Sequence, residues 1–253
     1  MDPSQALFAI CAAFAAIFIG LSKGGVPMIG MLGVPVLALV ISPLTAAALL
    51  LPIYVVTDMF GLWAYRRMFS RRNLDILAPA AIAGIGFGWA TATIVSESHV
   101  TLLVGAIGLA YCFDLWRKRH RNLAPRKADV PRGLFWGALT GFTSFVSHAG
   151  APPYQMYVMP QRLSKLVFAG TSAILFAIIN AVKLLPYWAL GQLNLENLHT
   201  AALLFPIGII ATLAGVRIVK IIREETFYKL VTAGLFLVSA KLTFDGIHAL
   251  ATG

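Results

Sequence analysis

Charge is what this sequence has least of. Asp, Glu, Lys and Arg together make up 12% of its 253 residues, where a soluble domain of that length carries about 25%. The deficit runs along the whole chain, which leaves no room for a separate soluble domain and points to a polytopic membrane protein. Cysteine is nearly absent: Cys11 and Cys112 both sit in apolar segments, where a lone cysteine behaves as a small hydrophobe. There is no CxxC, no HExxH and no other metal-ligand spacing, so neither a metal nor another cofactor is expected. The opening MDPSQ lacks the basic start of a secretory signal, and the first apolar segment is expected to be retained. What fills the chain instead is hydrophobic: 59% of the residues, with a mean hydropathy of +0.82.

The few charges are unevenly signed. The net charge is +10, which in a soluble protein would suggest nucleic acid. Here 17 of the 20 Lys and Arg fall in four short clusters between apolar segments: RRMFSRR (66–72), RKRHRNLAPRKADVPR (117–132), QRLSK (161–165) and RIVKIIREETFYK (217–229). Clusters so placed are topology signals and contacts to anionic headgroups. The expected partner is the lipid bilayer, not nucleic acid.

Ten apolar segments can be marked, at 5–21, 26–41, 44–65, 76–95 and 100–116, then at 133–147, 151–160, 166–189, 198–219 and 226–248. The last three of each half are long enough to span a bilayer at about 1.5 Å per residue. The first two of each half are short and are interrupted by Gly and Pro, the pattern of a hairpin that breaks or turns within the membrane. If the four basic clusters are cytoplasmic, SESH (96–99) and GQLNLENLH (191–199) lie outside. Both termini are then outside, in a multi-pass protein of a bacterial-type inner membrane.

The halves repeat each other. SKGGVP (22–27) aligns with SHAGAP (147–152), and NLDIL (73–77) with NLENL (194–198). Asp58 aligns with Asn180, and Tyr65 with Tyr187. Each half makes an odd number of net crossings, so the repeats are expected to be inverted. The expected fold is all-α and integral to the membrane, with about ten helical segments. A first repeat takes 1–117, a basic cytoplasmic linker 118–131, and a second repeat 132–253. Inverted repeats are a common build of secondary transporters, with the substrate near the midplane at helix breaks.

The breaks hold the candidate binding groups. Ser22, Lys23, Gly24, Gly25 and Val26 form the first, and Ser147, His148, Ala149, Gly150 and Ala151 the second. Helices are expected to begin near Val26 and Ala151, because Pro27 and Pro152 suit helix starts. The N–H groups of such starts favour anions, and the serines add hydroxyl donors. Lys23 faces either an anion at the midplane or, snorkelling, water at the cytoplasmic face. His148 donates to an anion, couples protons, or caps a carbonyl. Asp58 and Lys183 are ionisable residues inside long apolar segments, functional by default: they pair with each other, or Asp58 couples protons while Lys183 meets the substrate, or Lys183, just before LLPYW, reaches the outer interface. Asn180 is a further polar candidate. GIGFG (84–88) and GAIG (105–108) read as close helix packing, and Trp63, Trp116, Tyr187 and Trp188 as an aromatic belt.

GLSKGGVPMIGMLGVPVLALVISP resembles the small-residue signature that opens the TauE/SafE family of membrane anion permeases, and GALTGFTSFVSHAGAPP resembles its second-half copy. The likeness extends along essentially the whole chain. It implies transport of sulfite, sulfonates or related sulfur-containing and organic anions. No nucleotide-binding motif is present, so the expected energy source is a proton gradient or the substrate gradient. Two alternatives stay open: an anion channel of the same selectivity, and an intramembrane enzyme using Ser147 and His148. The oligomeric state, including a homodimer, is left open by the sequence.

Overall fold

The computed structural model describes residues 3–92, 94–117, 124–189 and 195–252. Asn122 and the rest of 118–123 in the basic linker lie outside the described residues, as do 190–194 of the Asn-rich loop. Among the described residues ten α-helices run in order: α1 (Pro3–Lys23), α2 (Gly33–Leu37), α3 (Pro43–Tyr65), α4 (Arg71–Ala90), α5 (Glu97–Arg117), α6 (Val130–Ser147), α7 (Ala151–Val158), α8 (Lys165–Ala189), α9 (Leu195–Ile221) and α10 (Glu224–Thr252). Short 3-10 turns occupy Ile29–Leu32 before α2 and Met159–Gln161 after α7. The expected all-α class is what is found.

Seven of these helices are long and apolar enough to cross a membrane: α1, α3, α4, α5, α8, α9 and α10. One departs from the expectation of short leading segments. α1 has 21 residues, because Ser22 and Lys23 continue a helix that an apolar run alone would end earlier. α4 starts at Arg71, five residues before its apolar run. Ser70 caps it, its Oγ accepting from the Asn73 N–H at 3.4 Å. A polar first turn is invisible to hydropathy but natural where helix N–H groups need acceptors.

Among the described residues, packing divides the chain into two compact units. One takes Met1–Phe69 and Leu166–Ile222, the other Ser70–Lys165 and Arg223–Gly253. Each unit thus draws helices from both sequence halves. In the first unit α9 packs on α1 and α3. A Cβ on Gly24 would lie 2.5 Å from the Gly215 Cα, so these two backbones touch. In the second unit α4 packs on α6 and α5 on α10. There a Cβ on Gly84 would overlap the Ala138 carbonyl, and one on Gly108 the Ser239 hydroxyl. GIGFG and GAIG therefore do pack helices, although Gly86 faces open space. Small residues substitute for hydrophobic drive where the surrounding solvent is itself apolar.

The outward faces carry large hydrophobic side chains such as Phe14, Phe87, Phe113, Leu203 and Phe244, a surface suited to lipid rather than water. Trp63, Trp116 and Trp188 are also exposed, as belt residues should be, but Tyr187 is buried and belongs to the site described next.

Candidate functional site

In the first unit, α1 ends in the Gly24–Gly25 turn, where Gly25 adopts a φ of +117°. Only glycine takes that conformation without strain. The N–H groups of Gly24, Gly25 and Val26 all turn back onto α1, donating to Gly20 O (2.9 Å), Ser22 O (3.1 Å) and Leu21 O (3.4 Å). This corrects the expectation of a helix start at Val26 offering free N–H groups. The last carbonyls of a helix lack partners, and in an apolar setting they claim the nearest donors. The segment beyond forms only the 3-10 turn and the five-residue α2. Gly30, Gly33 and Pro35 fall inside it, and each weakens a helix by about 1–3 kcal/mol relative to alanine.

Two tyrosines of α3 hold this break. The Tyr65 hydroxyl donates to Gly24 O at 2.6 Å, and the Tyr54 hydroxyl to Gly30 O at 2.9 Å. Between them on the same stripe lie Asp58 and Gly61. A Cβ on Gly61 would sit 3.1 Å from the Lys23 carbonyl, so α1 ends hard against α3. The spacing i, i+4, i+7, i+11 puts all four on one helical face.

That face receives Lys23. Its Nζ lies 2.7 Å from Asp58 Oδ1, 5.1 Å from the centre of the Tyr54 ring and 6.0 Å from that of Phe176. Asn180 of α8 completes the carboxylate's shell, its Nδ2 donating to Asp58 Oδ2 at 2.7 Å. Lys23 is 3% exposed and Asp58 4%. Lys23 therefore does not snorkel to water in this conformation. A charge so enclosed is tolerable only with a partner of opposite sign and further hydrogen bonds, and Asp58 with Asn180 supplies both. The sequence raised Lys183 as the partner of Asp58; the ion pair found is instead with Lys23.

Lys183 lies one turn beyond Asn180 on the same face of α8 and is 1% exposed. Its Nζ is 5.6 Å from the centre of the Tyr187 ring, near enough for a cation–π contact. Lys23, Asp58, Asn180 and Lys183 thus come together in one unit. Tyr54, Tyr65, Phe176 and Tyr187 surround them. These four were not singled out as binding residues from the sequence, though their helical register with Asp58 and Lys183 is the signal that finds them.

Ser147, His148, Ala149, Gly150 and Ala151 form a helix break in the second unit. The Ser147 hydroxyl and the N–H groups of His148 and Ala149 all donate to Thr143 O. The Thr143 hydroxyl reaches across to Ala149 O at 3.0 Å. α7 starts at Ala151, as the sequence implied. Pro152 and Pro153 bring no N–H, and Tyr154 N–H donates to Gly150 O at 3.4 Å. The N-terminus of α7 can therefore offer an anion only the N–H groups of Gly150 and Ala151.

His148 closes α6 in the left-handed region, at φ 52° and ψ 18°. In the aligned first break the left-handed residue is Gly25, two positions later in the motif, so the two turns are not copies in backbone detail. A non-glycine residue held there costs on the order of 1 kcal/mol. His148→Gly should therefore leave stability unchanged or raise it by up to about 1 kcal/mol. Unfolding of the variant in detergent checks this, and a clear loss would mean that the ring itself holds the break.

A family model described as Sulfite exporter TauE/SafE matches residues 9–242. The chain belongs to this family. No curated protein and no solved structure matches it. As a TauE/SafE member with seven span-length helices, it is a multi-pass membrane permease of a sulfite-exporter family. The matched stretch contains both helix breaks and the whole Lys23–Asp58–Asn180–Lys183 group.

Proposed function

We propose that the protein is a secondary transporter of small anions, with sulfite and organosulfonates first among them, coupled to protons or to the substrate gradient. The observation that carries this reading is the burial of two lysines, Lys23 and Lys183, in the first unit, with the Asp58 carboxylate paired to Lys23. Two ammonium groups inside an apolar bundle favour a negatively charged guest. Asn180 and the Tyr54 and Tyr187 rings would orient it. In the second unit, Ser147, His148 and the Gly150 and Ala151 N–H groups form the other proposed anion-binding break; His148 there, and Asp58 in the first unit, are the proposed proton-coupling groups. Commitment of the Ser147 hydroxyl to a backbone carbonyl favours transport over nucleophilic catalysis.

The two-repeat architecture, 1–117 and 132–253 about the linker 118–131, is part of the same proposal. Under that alignment α1 corresponds to α6 and α9 to α4. The α1–α9 pair of one unit thus has the α6–α4 pair of the other as its counterpart, and both are glycine-rich contacts. Asp58 and Asn180, equivalent positions 122 residues apart, touch each other, as residues near a two-fold axis would. The inner membrane, with both termini outside, remains the reading that places the arginine clusters in the cytoplasm.

The test is binding and flux with purified protein. Sulfite, sulfonates and small carboxylates should raise the melting temperature in detergent, and Lys183→Met should lower affinity at least about tenfold, the worth of about 1.4 kcal/mol. Saturable uptake with counterflow in proteoliposomes is expected of a carrier; linear flux without counterflow would indicate a channel. Unchanged anion stabilisation in Lys183→Met would remove that residue from the site.

A further inference from the structure

The second unit holds a groove that the anion site does not use. Its helices α5 and α10 pack together through glycines: a Cβ on Gly105 would lie 2.5 Å from the Thr243 nitrogen, and one on Gly246 2.6 Å from the Leu102 Cβ. Toward the end of α5 and the start of α10 the side chains are larger, and a groove of about 1220 Å³ opens there. Leu109, Phe113 and Trp116 line it from α5, and Ala233 and Phe236 from α10. Spacings of i, i+4, i+7 and of i, i+3 set each group on one helical face. Phe113 and Trp116 are each 60% exposed and Phe236 52%. The groove therefore opens onto the apolar surface suited to lipid, where hydrocarbon rather than water is the filling medium.

The charged residues that line it lie near the helix ends. Glu225 and Lys229 stand in the first two turns of α10, and Arg162 in the turn before α8. Lys229 pairs with Glu225 at 2.7 Å, but both side chains are largely exposed, and an exposed i, i+4 pair holds weakly. Arg162 makes no ion pair among the described residues. The charges lining the groove thus leave one positive charge over. Arg162 is held in the left-handed region, at φ 51° and ψ 44°. Its N–H donates to Met159 O at 3.1 Å, and the Tyr228 hydroxyl of α10 donates to the next carbonyl, Leu163 O. Glycine takes such a turn more easily, so the turn itself gives no reason for an arginine.

We infer that this groove binds one anionic glycerophospholipid, with an acyl chain along Leu109, Phe113 and Phe236 and the phosphodiester at Arg162 and Lys229. A guanidinium meets phosphate through two N–H donors at once, and Lys229 exchanges the Glu225 carboxylate for the phosphate as a point charge. A single phosphodiester carries the one negative charge that the groove lacks. A zwitterionic headgroup brings an ammonium of its own and balances nothing. Basic pockets between helices at the cytoplasmic face suit anionic headgroups, and the reading that puts the arginine clusters in the cytoplasm puts this end of the groove there. The groove lies wholly within the second unit, so it stands or falls separately from the anion site at Lys23 and Asp58.

Native mass spectrometry of the whole purified protein, titrated with phosphatidylglycerol or with phosphatidylcholine of the same chains, reads the lipids retained per protomer. One phosphatidylglycerol should be held at least about tenfold more tightly than phosphatidylcholine. Arg162→Gln combined with Lys229→Gln should remove that preference. Ala233→Trp fills the groove from an exposed position and should remove it as well, without disturbing the core. Equal affinity for the two lipids in the wild-type protein overturns the inference. A preference that survives either variant also overturns it, because the lipid then sits elsewhere. A dimer that Ala233→Trp splits, with lipid retention unchanged, would make the groove an interface between copies of the chain and overturn it too. The wild-type comparison and Ala233→Trp decide the matter even if the charge variant does not fold.

Discussion

Asp58→Ala should destabilise the protein by about 3–5 kcal/mol, because it leaves the Lys23 ammonium buried with no carboxylate. Lys23→Ala should cost a similar amount by leaving Asp58 with only the Asn180 amide. The cost is not a measure of what the pair contributes. Removing both charges at once, in Lys23→Met with Asp58→Leu, should restore most of the loss, since a well-packed apolar pair often matches a buried ion pair in stability. Unfolding of the three variants in detergent forms the cycle. Additive losses in the double variant would mean that the two side chains do not act as a pair. The same cycle separates stability from transport: the double variant should fold and yet carry no anion. Because of its 2.7 Å contact with Asp58, Lys23→Ala should lose both stability and transport.

Gly141→Ala should produce the second large effect. A Cβ at that position would overlap the Ala81 carbonyl and come within 2.7 Å of the Ala81 Cα. The obstacle is the backbone of a neighbouring helix, not the end of a flexible side chain, so α4 and α6 must separate along their contact. Overpacking of this kind costs about 1–3 kcal/mol and occasionally more. Gly86→Ala makes the control, because a Cβ there meets nothing within 4 Å. It should be neutral, or stabilising by up to about 1 kcal/mol from helix propensity. Thermal unfolding of the two variants side by side checks both signs. Equal melting temperatures would mean that α4 and α6 are not in close contact.

Much of this architecture was legible beforehand because a bilayer imposes simple rules. A spanning helix must be long and apolar, so hydropathy located the long segments within a few residues. The errors have local causes. α4 begins in RRNLD, where a serine cap and not hydrophobicity sets the boundary. α1 runs on through Ser22 and Lys23 because the ammonium finds Asp58. α2 is short because glycine and proline interrupt it. The site was half legible: ionisable residues inside apolar runs announce themselves by their cost, and Lys23, Asp58 and Lys183 were found that way. Their pairing was not, since Asp58 lies 35 residues from Lys23 and 125 from Lys183 in the chain, and nothing in one dimension chooses between them.

The sequence by itself determined that the chain is an all-helical membrane protein, where its breaks fall, and which buried charges need an explanation. Those follow from composition and from short-range pattern, which each segment carries alone. Only the tertiary structure decided that Asp58 goes to Lys23, that Tyr54 and Tyr65 hold the first break, and that the N–H groups of Gly24, Gly25 and Val26 are spent on α1 rather than offered to an anion. Each of these turns on which groups meet across helices in a medium with no water to satisfy them, and that competition is settled by packing.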